Sequence, residues 1–243
     1  MISYVHETIS IPLVWSVQEG AKGHLSAKNN IELVKQAIDV LKSFPLERIT
    51  LFGDGEYSSA EFMKFLDEQN WGFVFRIAVN DQVTLEDDSK FEVRTLPVDV
   101  YCEQVKFNRI EDHFFNVIKI HDTAHKEPLA LISNTLDGFE MEYEYSKRFM
   151  IERLFKNLKS NGCNIDQSKI SAPHKVCNLL SIVVLAFLFV LTFKELTQEH
   201  AQNPLIFRKD RNDLSLFVAC YQFLLFYFFS PNNIIFNDLK PPS

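Results

Sequence analysis

The sequence predicts a mixed α/β fold in which helices flank a sheet. Residues 30–80 alternate between helical and strand patterns, and this alternation is typical of a parallel or mixed sheet with covering helices. Residues 81–135 carry short β-prone runs separated by charged turns, which predict a mostly antiparallel segment. Residues 143–160 return to a helical pattern. With 23 phenylalanines and only 7 glycines in 243 residues, the composition favours a large packed core.

The first elements are predicted from apolar periodicity. Residues 1–15 alternate and then become apolar, which indicates one strand or half of a hairpin. No basic start precedes this run, so it does not resemble a signal peptide. Residues 30–44 have the spacing of an amphipathic helix, and Asn30 is a suitable N-cap.

A strand, a helix and a second strand follow. Residues 48–52 are an apolar strand that ends at Gly53-Asp54-Gly55. Ser58 or Ser59 then caps a helix that extends to Asn70, and residues 71–79 form the next strand. Beyond them, the β-prone runs are residues 91–96, 101–107, 114–120 and 129–133.

Two long apolar stretches lie near the C-terminus, at residues 178–193 and 214–229. A membrane-spanning helix needs about 20 apolar residues, and the first stretch is shorter and has a lysine near each end. We therefore expect a fully buried core helix and no membrane, with membrane association as the alternative. Residues 198–213, which are polar and contain Pro204, are the best candidate for a linker.

Charge and cysteine content restrict the class of protein. The net charge is −7, but Lys and Arg outnumber Asp and Glu in residues 145–243 and the reverse holds in residues 1–144. A locally basic surface can still bind phosphates, because the relevant field acts within a Debye length. The four cysteines form no CxxC pair, which predicts free thiols in a cytosolic protein.

One predicted helix carries a distinctive polar face. At about 100° per residue, Tyr145, Arg148, Glu152 and Lys159 lie within about 60° of one another. The cations and the hydroxyl suit phosphate oxygens. The carboxylate of Glu152 either forms an ordinary i,i+4 pair with Arg148 or holds a divalent metal beside a phosphodiester. A separate apolar stripe predicts the buried face of this helix: Ile151, Leu154, Phe155 and Leu158.

A second candidate is Asp54, which follows an apolar strand. Ligands and catalytic groups collect at the carboxyl ends of strands in α/β sheets. Magnesium prefers hard oxygen ligands and often takes one or two carboxylates. The competing interpretation is a turn aspartate that caps the next helix.

These residues, in this order, resemble the YREK group of bacterial insertion-sequence transposases, a branch of the DDE transposases. The group's Tyr-x2-Arg-x3-Glu-x6-Lys pattern is complete as Tyr145, Arg148, Glu152 and Lys159. Further short motifs agree, and the likeness covers residues 9–193. These motifs are residues 11–15 followed by Gly23, residues 52–57, residues 71–77, residues 131–135 and the continuation through Ser160.

The resemblance implies an RNase H-like mixed sheet with flanking helices. Residues 1–80 would be the first part of the catalytic core, residues 81–130 a β-rich insertion before the glutamate helix, residues 131–195 the second part, and residues 196–243 an apolar helical tail. Asp54 and Glu152 would be catalytic and would bind Mg²⁺ or Mn²⁺. Tyr145, Arg148 and Lys159 would contact DNA phosphates. The implied location is the bacterial cytoplasm, associated with the nucleoid.

The family's first aspartate should precede the segment at residues 11–15, but the first aspartate of this chain is Asp39, in a predicted helix. We therefore expect an N-terminally incomplete core and impaired DNA cleavage and strand transfer. The alternative is a non-catalytic remnant that binds DNA or an intact transposase. Homodimerisation is expected from the resemblance alone.

Overall fold

The computed structural model describes residues 1–19, 26–107, 110–121, 128–159, 163–201 and 214–229. The chain divides into two compact units, and the large sheet belongs to the first. The first unit contains Met1–Ile2 and Gly20–Phe149, and the second contains Ser3–Glu19 and Met150–Ser243. Gly23, Ser160 and residues 202–213 of the predicted linker lie outside the described residues.

The described elements alternate between helix and strand up to β4, continue as strands to β9 and end in helices. In chain order they are β1 (Ile2–His6), β2 (Ile9–Val14), α1 (Ala27–Leu41), β3 (Thr50–Gly53), α2 (Ala60–Glu68), β4 (Gly72–Ile77), β5 (Gln82–Thr84), β6 (Lys90–Glu92), β7 (Val100–Phe107), β8 (Ile110–Ile120), β9 (Leu129–Ser133), α3 (Gly138–Ser146), α4 (Phe149–Lys159), α5 (Pro173–Leu191), α6 (Lys194–Glu199) and α7 (Leu216–Phe229).

The main sheet has seven strands in the order β3-β4-β9-β8-β7-β5-β6. Only β3 and β4 are parallel to each other, and every other described pairing is antiparallel. The sheet is therefore mixed, as predicted, and this architecture is consistent with an RNase H-like fold. The strands of residues 81–130 are hydrogen-bonded into this same sheet, since β8 pairs with β9 over five residues.

Stacked phenylalanines form much of the core of the first unit. Phe73 and Phe75 project from the same face of β4, and their ring centroids are 4.8 Å apart. Phe62 of α2 stacks on Phe75 at 5.8 Å, and Phe115 of β8 packs against Phe73 at 6.0 Å. All four side chains are almost completely buried. Burial of aromatic surface on this scale supplies the main driving force that holds α2 against the sheet.

The beginning of the chain is a complete hairpin, β1 and β2, and not the single strand or half-hairpin predicted. Glu7, at the turn, adopts a left-handed φ of 52°. Such a conformation is uncommon outside glycine and asparagine, so the turn was not evident from residue type.

The first helix begins earlier than predicted. Its N-cap is Ser26, whose side chain accepts a hydrogen bond from the Asn29 N–H, whereas Asn30 is buried inside the helix. Serine and asparagine are similarly good N-caps, so residue type alone did not distinguish them. In α2, by contrast, the predicted cap Ser59 is confirmed, because its side chain accepts from the Phe62 N–H.

The β-rich region departs from prediction at one run. Residues 91–96 were predicted as a strand, but only β6 is extended and Val93–Thr95 form a 3-10 turn. The short strand β5 was not predicted. The buried Lys119 ammonium donates to the carbonyls of Arg94 and Leu96 and thereby holds the turn on β8.

The predicted continuous helix across residues 143–160 is wrong. Two helices, α3 and α4, are separated by a turn at Lys147 and Arg148. The backbone N–H of Arg148 donates to the carbonyl of Tyr145, which closes α3 with a tighter turn. A single helical wheel therefore does not describe the four residues of the polar face.

The prediction of a fully buried helix at residues 178–193 is also wrong. The helix there, α5, is long and apolar enough to span a membrane by length and composition, and only 22% of its most apolar window is buried. Ile182, Leu185 and Phe189 are exposed. On its other side Phe187 stacks on Phe217 of α7, with ring centroids 4.7 Å apart. One such helix is weak evidence for a membrane protein.

Candidate functional site

The first predicted site residue, Asp54, follows the last residue of β3 directly. Its Oδ1 accepts a hydrogen bond from the Gly55 N–H at 3.2 Å, and it is the N-cap of a 3-10 turn, Gly55–Tyr57. The residue is exposed. Asp54 therefore caps a turn with one oxygen while its other oxygen, Oδ2, remains available for a second contact.

The second contact is with Arg148. The Arg148 Nη1 atom lies 3.8 Å from Asp54 Oδ2, with 17% of the arginine side chain and 51% of the aspartate side chain exposed. The guanidinium carbon also lies 5.5 Å from the centre of the Tyr145 ring and 5.1 Å from that of Phe149. Both distances are within the range of cation–π attraction. Arg148 is thus positioned by two aromatic rings beside the carboxylate.

Tyr145 is the third predicted residue at this site. Its ring is 5% exposed and packs in a cluster that includes Val74, Ile118 and Met141. Burial raises the pKa of the phenol to about 12, and the nearby positive charge of Arg148 opposes that rise. The hydroxyl therefore stays protonated at neutral pH and can donate a hydrogen bond.

A further cation, Arg76, was not predicted as a site residue. In the parallel pairing of β3 and β4, Gly53 is level with Phe75, so Asp54 and Arg76 follow paired positions at the same edge of the sheet. The charge of Arg76 also acts on the Tyr145 phenol and lowers its pKa. The signal that would have identified it is an arginine at the carboxyl end of a buried strand.

The local backbone depends on the absence of a side chain at Gly53. A Cβ there would lie 2.8 Å from Tyr57 Cδ2 and 2.9 Å from Phe75 Cδ1. These separations are shorter than van der Waals contact, so only glycine allows both rings to close over the strand end. The rings in turn fix the direction in which the chain leaves β3 towards Asp54.

The remaining predicted residues, Glu152 and Lys159, belong to α4 in the second unit. Both are exposed, whereas Leu154 and Leu158 of the predicted apolar stripe are buried. Two other stripe positions differ from prediction, because Ile151 is only half-buried and Phe155 is exposed. The Lys159 ammonium lies 5.7 Å from the Phe155 ring.

The buried face of α4 includes a polar residue that the sequence pattern did not reveal. Asn157 is buried and accepts a hydrogen bond from the Ser215 hydroxyl at 3.1 Å. Asn157 thus faces the core of the second unit, and Glu152 and Lys159 are left on its exposed side. The structure consequently brings Asp54, Tyr145 and Arg148 together in the first unit and carries Glu152 and Lys159 on α4.

The donor chemistry of the site partly suits a divalent cation. Asp54 offers the hard oxygen that Mg²⁺ prefers. However, the described residues contain no group of three or more His, Cys, Asp or Glu side chains able to hold a metal ion. The side chains near Asp54 include the Arg148 guanidinium and the Tyr145 ring, which also suit an anion, together with the acidic Glu56 of the same turn.

Comparison with known families finds a match that covers most of the chain. A family model described as transposase DDE domain matches residues 24–189. That range includes every site residue described above: Asp54, Arg76, Tyr145, Arg148, Glu152 and Lys159. No curated protein matches the sequence significantly. Because the match covers more than half of the chain, the protein belongs to the DDE transposase family.

Proposed function

We propose that this transposase belongs to the YREK group of bacterial insertion-sequence enzymes and acts on DNA strands at the ends of its element. The observation that carries the proposal is the cluster of Arg148, Tyr145 and Asp54 at the carboxyl end of β3. A positioned guanidinium and a protonated phenol donate hydrogen bonds suited to phosphate oxygens. The family assignment makes DNA the natural source of those phosphates.

Four side chains contact the DNA backbone in this proposal. Arg148, Arg76 and Tyr145 would bind phosphate at the edge of the main sheet, and Lys159 would supply a further cation from α4. Arginine suits this role because its planar fork can contact two phosphate oxygens at once. We expect these contacts to supply affinity, since phosphate contacts position a protein on DNA without reading its sequence.

Asp54 and Glu152 are the proposed ligands of Mg²⁺ or Mn²⁺. When bound, such ions activate water or a 3′-hydroxyl and stabilise the leaving oxygen of an in-line displacement at phosphorus. We propose no third ligand among the described residues, and the acids Asp39 and Glu7 are each ion-paired elsewhere. Asp39 is on α1 and pairs with Lys42 at 2.6 Å, and Glu7 pairs with Lys194 at 2.9 Å. Since this proposal assigns two carboxylate ligands among the described residues, we propose weak metal binding and slow cleavage.

A second candidate function is DNA binding without cleavage, either by the chain alone or together with an intact transposase. It is favoured by the cations of the site, since Arg148 lies 3.8 Å from Asp54 and the charges of Arg148 and Arg76 both act on the Tyr145 phenol. Such a surface would retain DNA even where the acids are too few for chemistry. In either case we propose a cytoplasmic, nucleoid-associated location in a bacterium, and a homodimer that brings two DNA ends together.

A nicking assay distinguishes the two candidates. The purified chain is incubated with supercoiled DNA carrying the sequences that flank its gene, with Mg²⁺ or Mn²⁺ and with EDTA as the blank. Metal-dependent nicking that is lost in both Asp54→Asn and Glu152→Gln supports the enzyme. The matched control is Asp39→Asn, the same change at an exposed helical position, and it should nick normally.

The other outcomes are equally informative. DNA retention without nicking supports the non-catalytic function. Nicking that survives both Asp54→Asn and Glu152→Gln would contradict the assignment of these two ligands. A chain that neither binds nor nicks the DNA would contradict both candidate functions.

A further inference from the structure

Arg148 and Asp54 contact each other. The proposed function, on which this inference rests, gives the two residues different ligands. Arg148 would bind a DNA phosphate and Asp54 a divalent cation. Their 3.8 Å separation means that, without DNA, the guanidinium neutralises the carboxylate that the cation would need. The cation therefore competes with Arg148 for Asp54, and the phosphate competes with Asp54 for Arg148.

We propose that Arg148 links DNA binding to divalent-cation binding by competing for Asp54. A phosphate that engages the guanidinium weakens its hold on Asp54 and leaves the carboxylate free for the cation. A cation on Asp54 equally releases Arg148 towards phosphate. Because binding free energies are reciprocal, each ligand raises the affinity for the other by the same factor. In DNA-free protein the cation would then bind weakly, which restrains metal chemistry until DNA has been engaged.

The aromatic rings make this competition specific to Arg148. The guanidinium lies within 5.5 Å of the Tyr145 ring and 5.1 Å of the Phe149 ring, so it has a fixed place beside Asp54. The same packing leaves 17% of the side chain open to solvent, so part of the arginine stays accessible to a ligand. Asp54 is half-exposed, so a cation can reach it without a change in the fold.

The first test measures Mn²⁺ binding to DNA-free protein by the electron paramagnetic resonance signal of the free ion. Asp54-dependent binding is defined as the part that Asp54→Asn abolishes. Arg148→Gln should strengthen it about two- to fivefold, the size expected for a partly exposed ion pair. Arg148→Lys, which keeps the charge, should remain closer to wild type. The matched control is Arg94→Gln, which removes the same charge from an exposed arginine in the 3-10 turn after β6 and should have no effect.

A double-mutant cycle makes the test specific to the pair. In an Asp54→Asn background, Arg148→Gln should not alter Mn²⁺ binding. The proposal is overturned if Arg148→Gln leaves Asp54-dependent binding unchanged. It is also overturned if the increase is the same in both backgrounds, or if no variant with an intact Asp54 binds Mn²⁺ through that residue.

The second test uses no metal. In EDTA, a fluorescein-labelled duplex of 20 base pairs reports DNA affinity by anisotropy. Asp54→Asn should tighten DNA binding about two- to fivefold, because it frees Arg148, and the gain should disappear in Arg148→Gln. An equal gain in both backgrounds would overturn the linkage. A complete lack of DNA binding would contradict the proposed function instead, and the Mn²⁺ measurements would still decide whether Arg148 competes for Asp54.

Discussion

The guanidinium of Arg148 lies 3.8 Å from the carboxylate of Asp54, which joins the turn after α3 to the carboxyl end of β3. The two residues are far apart in sequence, and the main sheet brings them together. Tyr145 contributes the ring on which the arginine lies. This cluster defines what the first unit contributes to the candidate site, and it leads to predictions about binding and stability.

The phosphate roles predict a specific change in salt dependence. Arg148→Ala and Lys159→Ala should each weaken DNA binding and reduce the slope of log affinity against log salt by about 1, because each removes one phosphate contact. Anisotropy titrations between low and moderate salt measure the slope. Lys42→Ala is the control, since that exposed lysine pairs with Asp39 on α1. A slope that drops equally in the control would indicate only a general charge effect.

Gly53 and Gly55 should respond oppositely to the same substitution. Gly53→Ala forces its new methyl group against Tyr57 and Phe75, and should lower the free energy of unfolding by about 1–3 kcal/mol. At Gly55 the nearest atom is the Arg76 carbonyl oxygen, 3.7 Å from the position of a Cβ. Gly55→Ala should therefore be neutral or stabilise by about 0.4–1 kcal/mol. Urea unfolding compares the two variants, and equal losses would contradict the close ring packing at Gly53.

The start of α1 can be tested by two substitutions. Ser26→Ala should lower the free energy of unfolding by about 1 kcal/mol, because the Asn29 N–H loses its side-chain acceptor and keeps only the Ser26 carbonyl. Asn30→Ala should change it by less than about 0.5 kcal/mol, since the buried Asn30 Oδ1 has no hydrogen-bond partner among the described residues. Thermal or urea unfolding measures both. A larger loss of unfolding free energy in Asn30→Ala than in Ser26→Ala would indicate that Asn30 is the N-cap.

Tyr145 should contribute to the loss of stability at high pH. Folding raises the pKa of its phenol from 10.0 to about 12, so the folded protein holds this proton more tightly than the unfolded chain. The stabilisation is fully present below pH 10 and is lost as pH rises from 10 towards 12. Tyr145→Phe should flatten the decline in unfolding free energy over that range.

The control for this measurement is Tyr143→Phe, which changes an exposed ring on the same helix and should leave the decline as in wild type. Urea unfolding at a series of pH values provides the comparison. A decline that is unchanged in Tyr145→Phe would show that this phenol does not titrate differently in the two states.

Several elements followed from sequence because local rules determine them. The buried strand β4, the strand β9 and the cap at Ser59 were predicted from apolar runs and residue type. Asp54 was predicted at the end of β3 for the same reason, since an apolar run was followed by a turn signal. In each case residues close in sequence carry the information.

The division between α3 and α4 could not be predicted in this way. Lys147 and Arg148 are both good helix formers, and neither glycine nor proline marks the break. A helical wheel describes the periodicity of side chains and assumes that the helix is uninterrupted. It placed Arg148 and Glu152 on one face, and it gave no information on the contact between Arg148 and Asp54.

Contacts between residues far apart in the chain could not be predicted from the sequence either. The Asn134 amide donates to Asp67 at 2.8 Å and to the Trp71 carbonyl at 3.0 Å, and its oxygen accepts from the Phe73 N–H. It thereby ties the end of β9 to α2 and to the start of β4. Nothing near Asn134 in sequence indicates these partners, and the same is true of Arg76 near Tyr145.

The position of β8 has a consequence for how the first unit unfolds. Its backbone amides and carbonyls are shared between β7 and β9, and β9 in turn pairs with β4. If strands β5–β8 separated from the rest of the sheet, β9 would lose its hydrogen bonds to β8 and expose its backbone groups to water. Local opening of this segment is therefore unfavourable. In native-state hydrogen exchange, the amides of β4, β8 and β9 should form a single cooperative group with one opening free energy.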